Sequence, residues 1–315
     1  MESPEIISSF MKVLEVPPSI SDEEKKERLI QLKTLVLHHG IPDYTIKDSE
    51  TPLRQIVWKC LLRTGNGDIQ KYLSLVKRGK SSLHDKIKRD TDRTFKSNRV
   101  FEEKVPEDKL IRLLNAYVHY KEENDLPGAS YVQGMNVVAA PLLFVLPEHD
   151  AFFAFVRIVT KHCPTYFMKN LEGVHAGAAL VDIILETVDP ELFEYLSKHK
   201  LIGEIWAFSR LMTFCASQPP LDEALKLWDF FFAFGEHLTV PAVVAQAIIV
   251  KKELLESAVP VQILSEQKTV EARQTIRITR EIFRKLDQRQ QSALALHMID
   301  SDTMEKLLPS SLKKP

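Results

Sequence analysis

The sequence predicts an all-α protein, a single domain of a dozen or more helices. Three observations predict it. Apolar residues recur at spacings of three and four through most of the 315 residues, which puts them on one face of successive helices. Alternating runs are too short for strands, and no β-α-β rhythm is present. No segment repeats at a fixed period, and no clear linker divides the chain.

Residues 1–20 hold a short amphipathic segment followed by Pro17-Pro18. Ser21 followed by Asp22-Glu23-Glu24 has the form of a cap with first-turn acids. That helix runs to about His38, with Leu29, Ile30, Leu32, Leu35 and Leu37 apolar; Gly40 ends it and Pro42 follows. Thr51-Pro52 opens a second helix, with Leu53, Val57, Trp58, Leu61 and Leu62 on its buried face, and Gly65-Asn66-Gly67 stops it. A short helix follows over Ile69–Val76. Lys77–Arg99 is charged and poor in apolar positions, so it reads as an exposed loop. Helical periodicity returns in Glu107–Glu123. Val137–Leu146 is an apolar run, and Glu148–His162 is an aromatic-rich helix. Val174–Thr187 and Pro190–His199 are helices, as is Leu201–Cys215, which Pro219-Pro220 breaks. Leu221–Phe234, Val240–Leu255 and a long charged helix from about Val270 to Leu296 close the fold, and Leu308–Pro315 reads as a frayed tail.

Composition narrows the function. Lys+Arg number 42 and Asp+Glu 43, a formal net charge of -1. That balance argues against a nucleic-acid partner, which selects for a basic excess, and gives no general attraction to anionic membrane. Cys60, Cys163 and Cys215 are odd in number and far apart, which disfavours a disulfide framework or zinc site and suits a reducing compartment. The N-terminus lacks the basic start and apolar run of a signal peptide. The longest apolar run contains Pro141 and is about half the roughly twenty residues a bilayer span needs. The expectation is a soluble intracellular protein without membrane insertion. No phosphate-binding glycine loop, H-E-x-x-H or G-x-S-x-G is present, so nothing points to a self-contained active site or a cofactor of its own.

Two stretches carry chemistry. In Ile87–Phe95, Arg93 follows Asp90 by three residues, and an exposed arginine so placed can neutralise phosphate charge in a partner's site. The plainer reading is a solvated charge run. In Pro127–Asn136, Gln133 stands two residues after Tyr131 and just before Gly134, where a loop becomes a buried element. Its carboxamide can donate and accept at once, which suits it to orient a water. The plainer reading is a glutamine that caps a neighbouring backbone group. Together the two stretches match what GTP hydrolysis needs: an arginine on the transferred phosphoryl group and a glutamine on the attacking water.

At these residues the chain resembles the TBC-domain family, GTPase activators acting mainly on Rab-type small GTPases. The family's I-x-x-D-x-x-R matches Ile87, Asp90 and Arg93; its Y-x-Q matches Tyr131 and Gln133; its R-x-x-x-W matches Arg54 and Trp58. Gly40-Ile41-Pro42 and the Leu225-x-x-Trp228-Asp229 helix resemble further family features, so the motifs span roughly residues 35–240. The resemblance implies a V-shaped helical TBC domain over 35–240, a helical extension over 1–34, and C-terminal helices over 241–315 packed on the domain. It implies that Arg93 and Gln133 act as fingers in a partner GTPase that carries the GTP and Mg²⁺. Asp90 and Tyr131 support them, and Arg54 and Trp58 are structural or help hold the finger loop. Many members have a proline where this chain has Lys88, so a more mobile Arg93 loop is expected. Within the family the chain is similar to fungal members that restrain mitotic exit and septation. That likeness implies one half of a two-component activator with a scaffold protein, cytoplasmic and recruited to the spindle pole body. The alternative is a non-catalytic scaffold that binds a GTPase or checkpoint partner.

Overall fold

The computed structural model describes residues 4–15, 20–96, 98–265 and 271–300. Pro17-Pro18, Val270 and the tail expected from Leu308 lie outside the described residues. In chain order the elements are α1 (Pro4–Leu14), α2 (Asp22–His39), β1 (Thr45–Ile46), β2 (Thr51–Pro52), α3 (Leu53–Leu62), α4 (Ile69–Lys77), α5 (His84–Thr91), α6 (Arg99–Lys104), α7 (Glu107–Glu123), α8 (Met135–Val145) and α9 (Glu148–Arg157). After a π-helical turn at Ile158–His162 and a 3₁₀ turn at Pro164–Phe167 come α10 (Glu172–Val188), α11 (Pro190–Lys198), α12 (Gly203–Trp206), α13 (Phe208–Met212) and α14 (Leu221–Phe234). A 3₁₀ turn at Glu236–Leu238 leads into α15 (Thr239–Ile249), α16 (Lys251–Glu256), α17 (Pro260–Ser265), α18 (Ala272–Lys285) and α19 (Gln288–Leu296). Among the described residues the fold is all-α but for one antiparallel pair, in which Thr45 faces Pro52 and Ile46 faces Thr51.

Local chemistry explains the ends. Ser21 and Glu24 form a full capping box at the start of α2, and Asp287 and Gln290 do the same for α19. Four expected elements differ. Val240–Leu255 is not one helix: it stops at Ile249, and α16 starts anew at Lys251 after a turn at Val250. Lys77–Arg99 is not an open loop: α5 forms within it because Ile87, Asp90 and Thr91 turn inward against the core, which a charge count along the chain cannot show. Leu201–Cys215 divides into α12 and α13, and Phe214 and Cys215 take left-handed backbone beyond α13. The closing helix is broken at Leu286-Asp287, where Asp287 stops accepting a helical role and caps α19 instead.

One hydrophobic cluster runs from Phe10 to Met298. The boundary expected at 34/35 falls inside α2, and that at 240/241 falls inside α15. Both helices pack on α14 or its neighbours, α2 against α14 and α15 against α10 and α18. Neither boundary divides the core. At the centre Trp58 stacks on Trp228 at 5.9 Å between centroids and meets Phe232 edge-on at 4.9 Å. The three cysteines are free, and no helix among the described residues is long and apolar enough to cross a membrane.

Candidate functional site

The two candidate fingers leave the fold at the ends of adjacent helices. α5 and α8 pack on one another, with Arg93 just past the end of α5 and Gln133 just before the start of α8. Asp90 lies in the last turn of α5 and is 6% exposed. Its carboxylate serves both loops. Oδ1 accepts from the Arg93 guanidinium at 2.6 Å, and Oδ2 accepts from the Tyr131 hydroxyl at 3.0 Å. Burial and the neighbouring Asp90 charge push the Tyr131 hydroxyl well above its ordinary pKa, so it stays a donor.

Asn136, in the first turn of α8, completes the tie. Its Oδ1 accepts from the Gly134 N–H at 3.0 Å and lies 3.4 Å from the Tyr131 hydroxyl. Its Nδ2 donates to Thr94 Oγ1 at 2.8 Å and to the Asp90 carbonyl at 3.2 Å. Thr94 Oγ1 in turn donates to the Asp90 carbonyl at 2.9 Å. Each finger is therefore flanked by buried residues bonded to those of the other. Lys86 adds a further tie, with its ammonium 5.5 Å from the Tyr131 ring centre and 3.4 Å from the Tyr131 carbonyl.

Backbone conformation shapes both loops. Gly134 has φ +106, and a Cβ there would stand 3.0 Å from Met212 Cγ, so only glycine suits the position. Phe95 holds φ +53, a costly conformation for a bulky residue. Its ring packs on Phe101 at 4.9 Å, which anchors the far side of the Arg93 loop.

The finger side chains themselves face outward. Arg93's is 61% exposed and Gln133 is exposed, with no hydrogen bond from its carboxamide among the described residues, so it is not a loop cap. Both line one groove of about 1030 Å³, whose other wall includes Phe208, Met212 and Pro219-Pro220. Only the Arg93 end of the pair faces solvent, and Asp90 keeps the Tyr131 hydroxyl when the guanidinium leaves, so a phosphate can take the carboxylate's place on Arg93.

Arg54 and Trp58 do not join this constellation. Both bind Asp229 on α14: Arg54 Nε at 3.1 Å and the Trp58 indole at 2.7 Å, both on Oδ1. Asp229 is 1% exposed, and burial pushes its carboxyl above the ordinary range while Arg54 opposes the shift. Of the two roles that the resemblance left open for Arg54 and Trp58, the geometry gives the structural one: they lock α3 to α14. Lys88 lies within α5, where its carbonyl accepts from the Asp92 N–H at 3.0 Å. The segment that carries it is a hydrogen-bonded helix that ends two residues before Arg93.

Sequence reasoning passed over Asn136 and Thr94 as site residues. The available signal was Asn136 itself, a polar side chain one residue ahead of an apolar run, where burial obliges hydrogen bonding. It also passed over Asp229, the one polar residue in the apolar stretch Leu227–Phe234. Among the described residues no group of His, Cys, Asp and Glu is placed to hold a metal ion.

Comparison with known proteins gives the family. The Rab-GTPase-TBC domain matches residues 51–255. Cell division control protein 16 of Schizosaccharomyces pombe is 35% identical over 283 residues, covering 90% of this chain and 92% of that protein. The mitotic check point protein BUB2 of Saccharomyces cerevisiae is 35% identical, covering 87% and 93%. A putative mitotic check point protein BUB2 of Dictyostelium discoideum is 38% identical, covering 82% and 71%. Among solved structures, the Ypt/Rab-GAP domain of Gyp1p superposes with a TM-score of 0.70 at 16% identity, over 89% of this chain and 97% of that one. The Chlamydomonas flagellar RabGAP TBC domain does so with 0.67 at 18%, over 89% and 90%. At those identities the structural likeness is one of fold, but the domain match and the three relatives concern the sequence itself. The chain belongs to the Rab-GTPase-TBC domain family.

Proposed function

We propose that this protein accelerates GTP hydrolysis by a small Rab- or Ras-like GTPase, to which it lends Arg93 and Gln133. The observation that carries the proposal is that both side chains are exposed on one groove while their loops are bonded through Asp90, Tyr131 and Asn136. Arg93 leaves Asp90 for the phosphoryl oxygens, where it offsets the charge that develops in the transition state. Gln133 offers its carbonyl to the attacking water and its amide to a neighbouring oxygen. GTP and Mg²⁺ belong to the GTPase. Such a finger supplied in trans is worth roughly 10³–10⁵ in rate, about 4–7 kcal/mol of barrier.

The cell-cycle setting is the finer part of the proposal. Three relatives bear the names of mitotic check point or cell division control proteins. We assign this chain to the same process, as the activating half of a two-component complex with a scaffold protein. Its place is the cytoplasm, with recruitment to the spindle pole body.

Single-turnover GTP hydrolysis over a panel of small GTPases tests the activity, with and without co-purifying proteins. Wild type should stimulate at least one GTPase, and Arg93→Ala and Gln133→Ala should each lose most of the stimulation while still binding it. Variants as active as wild type refute the finger mechanism. Binding of GTP-loaded GTPase with no acceleration by wild type under any condition favours a non-catalytic scaffold.

A further inference from the structure

The chain as a whole carries a formal charge of -1, yet residues 77–99 hold nine Lys and Arg against three Asp. This segment, net +6 by that count, leads directly into the Arg93 finger. Lys77, Lys80, Lys88 and Arg89 are exposed and, among the described residues, have no carboxylate partner within ion-pair distance. The other basic residues of the segment are engaged, Arg93 with Asp90 as above. Arg78 reaches Glu123 at 3.7 Å, Lys96 binds Asp92 at 2.7 Å, Arg99 binds Glu103 at 3.0 Å, and Lys86 lies over Tyr131.

The segment that bears these charges is hydrogen-bonded to α7. Ser81 N–H donates to Asn115 Oδ1 at 2.8 Å, and His119 Nε2 lies 3.1 Å from the Gly79 carbonyl. The turn between α4 and α5 is thus pinned to α7, while Leu75, Ile87 and Asp90 point inward. The basic side chains are left on the outer side. Lys86, Arg89 and Arg93 follow at spacings of three and four, the spacing of one helix face, so the charge stripe ends on the finger.

We propose that this α4–α5 surface is a docking and steering surface for an acidic patch on the GTPase itself, beside its nucleotide site. This deepens the function proposed above and rests on it. The partner follows from continuity. Whatever receives Arg93 must cover the end of the stripe, so the surface that meets Arg89 and Lys88 belongs to the same molecule. A membrane lying on this face would compete with the GTPase for the finger loop. Unpaired surface cations of one sign raise the encounter rate with an acidic partner, and salt suppresses the effect.

The test uses the full chain, the panel of small GTPases loaded with a non-hydrolysable GTP analogue, and the variants Lys88→Glu/Arg89→Glu and Lys77→Glu/Lys80→Glu. Association rates and hydrolysis are measured between about 50 and 300 mM salt, a range over which the screening length falls by more than half. The expected result is a drop of about tenfold or more in association rate and in kcat/KM at low salt for Lys88→Glu/Arg89→Glu. A smaller drop is expected for Lys77→Glu/Lys80→Glu, with the gap closing at high salt and kcat within twofold of wild type. Equal association rates at low salt overturn the proposal while leaving the fingers intact, since Arg93→Ala still separates binding from turnover. A wild type that binds no GTPase of the panel overturns both. Vesicles containing anionic lipid form the last arm: binding by wild type that is lost in these variants, with GTPase association unchanged, assigns the surface to a membrane and refutes the proposal.

Discussion

Asn136→Ala should uncouple the two fingers and weaken the fold together. The side chain is 4% exposed and makes four polar contacts. Three of the groups it meets keep another partner after truncation. The Tyr131 hydroxyl still donates to Asp90, and Thr94 Oγ1 still donates to the Asp90 carbonyl. The Gly134 N–H has no other partner, and a buried orphan of that kind costs about 1–3 kcal/mol. Each of the other lost bonds removes about 0.5–1.5 kcal/mol net. These sum to a loss of about 2.5–7.5 kcal/mol. With unfolding entropy of about 2.1 cal/mol/K per residue, that lowers Tm by roughly 4–11 °C in a chain of 315 residues. The larger effect is on rate, because releasing the bonds on Gly134 and Thr94 frees both finger loops, and an error of about 1 Å in placement costs on the order of 10²-fold. Calorimetry and single-turnover hydrolysis at a temperature well below the lowered Tm measure both. Arg93→Ala is the control: its side chain is 61% exposed and Asp90 keeps the Tyr131 hydroxyl, so Tm should fall less than in Asn136→Ala while stimulation disappears. An Asn136→Ala protein that is folded and stimulates hydrolysis as wild type does would refute the argument that this network sets the fingers.

Arg54→Ala should cost about 3–5 kcal/mol, because it leaves the buried Asp229 carboxylate with the Trp58 indole alone. Burial already raises the Asp229 pKa, so the cost attaches to the ionised form and is relieved as pH falls through the folded value. Urea unfolding of the variant should therefore show a larger deficit at pH 8 than at pH 5. His297 is fully buried, accepts from the Tyr166 hydroxyl at 3.0 Å and donates to the Leu294 carbonyl at 2.6 Å. Desolvation depresses its pKa from 6.5 to about 3. Below pH 6.5 only the unfolded chain takes up this proton, so stability declines with acid, by about 2 kcal/mol at pH 5. His297→Gln should flatten that slope in urea titrations taken between pH 7 and 5. Gly134→Ala should lower Tm and stimulation together, since the new Cβ meets Met212 at 3.0 Å in a conformation with φ +106. A Tm equal to wild type would show that Met212 and the loop give way.

The boundaries of α7 and α14 were legible because their apolar residues keep helical spacing between a proline-led start and a polar or glycine end. α5 was not, because its inward residues include Asp90 and Thr91, which periodicity counts as polar. They are buried only because Tyr131, Asn136 and Thr94 come to meet them from outside the helix. The three breaks, at Val250, at Leu286-Asp287 and between α12 and α13, were hidden for a related reason. Apolar spacing continues across them, and caps and packing end the helix before periodicity does.

By itself, the sequence determined that the chain is helical, and its resemblance to the TBC family at Ile87–Arg93 and Tyr131–Gln133 pointed to Arg93 and Gln133 as candidate fingers. Helicity follows from local spacing, which a linear reading contains; the finger expectation follows from the resemblance. Only the tertiary structure decided that one carboxylate, Asp90, serves both loops, that Asn136 closes the bond network, and that Arg54 and Trp58 belong to Asp229 instead. It also decided that the charges of residues 77–99 are borne on a helix pinned to α7 and not on a free loop. The physical reason is that a buried polar group must find its partners wherever packing brings them. The partners here lie about forty residues apart within the finger network, and 175 residues apart between Arg54 and Asp229.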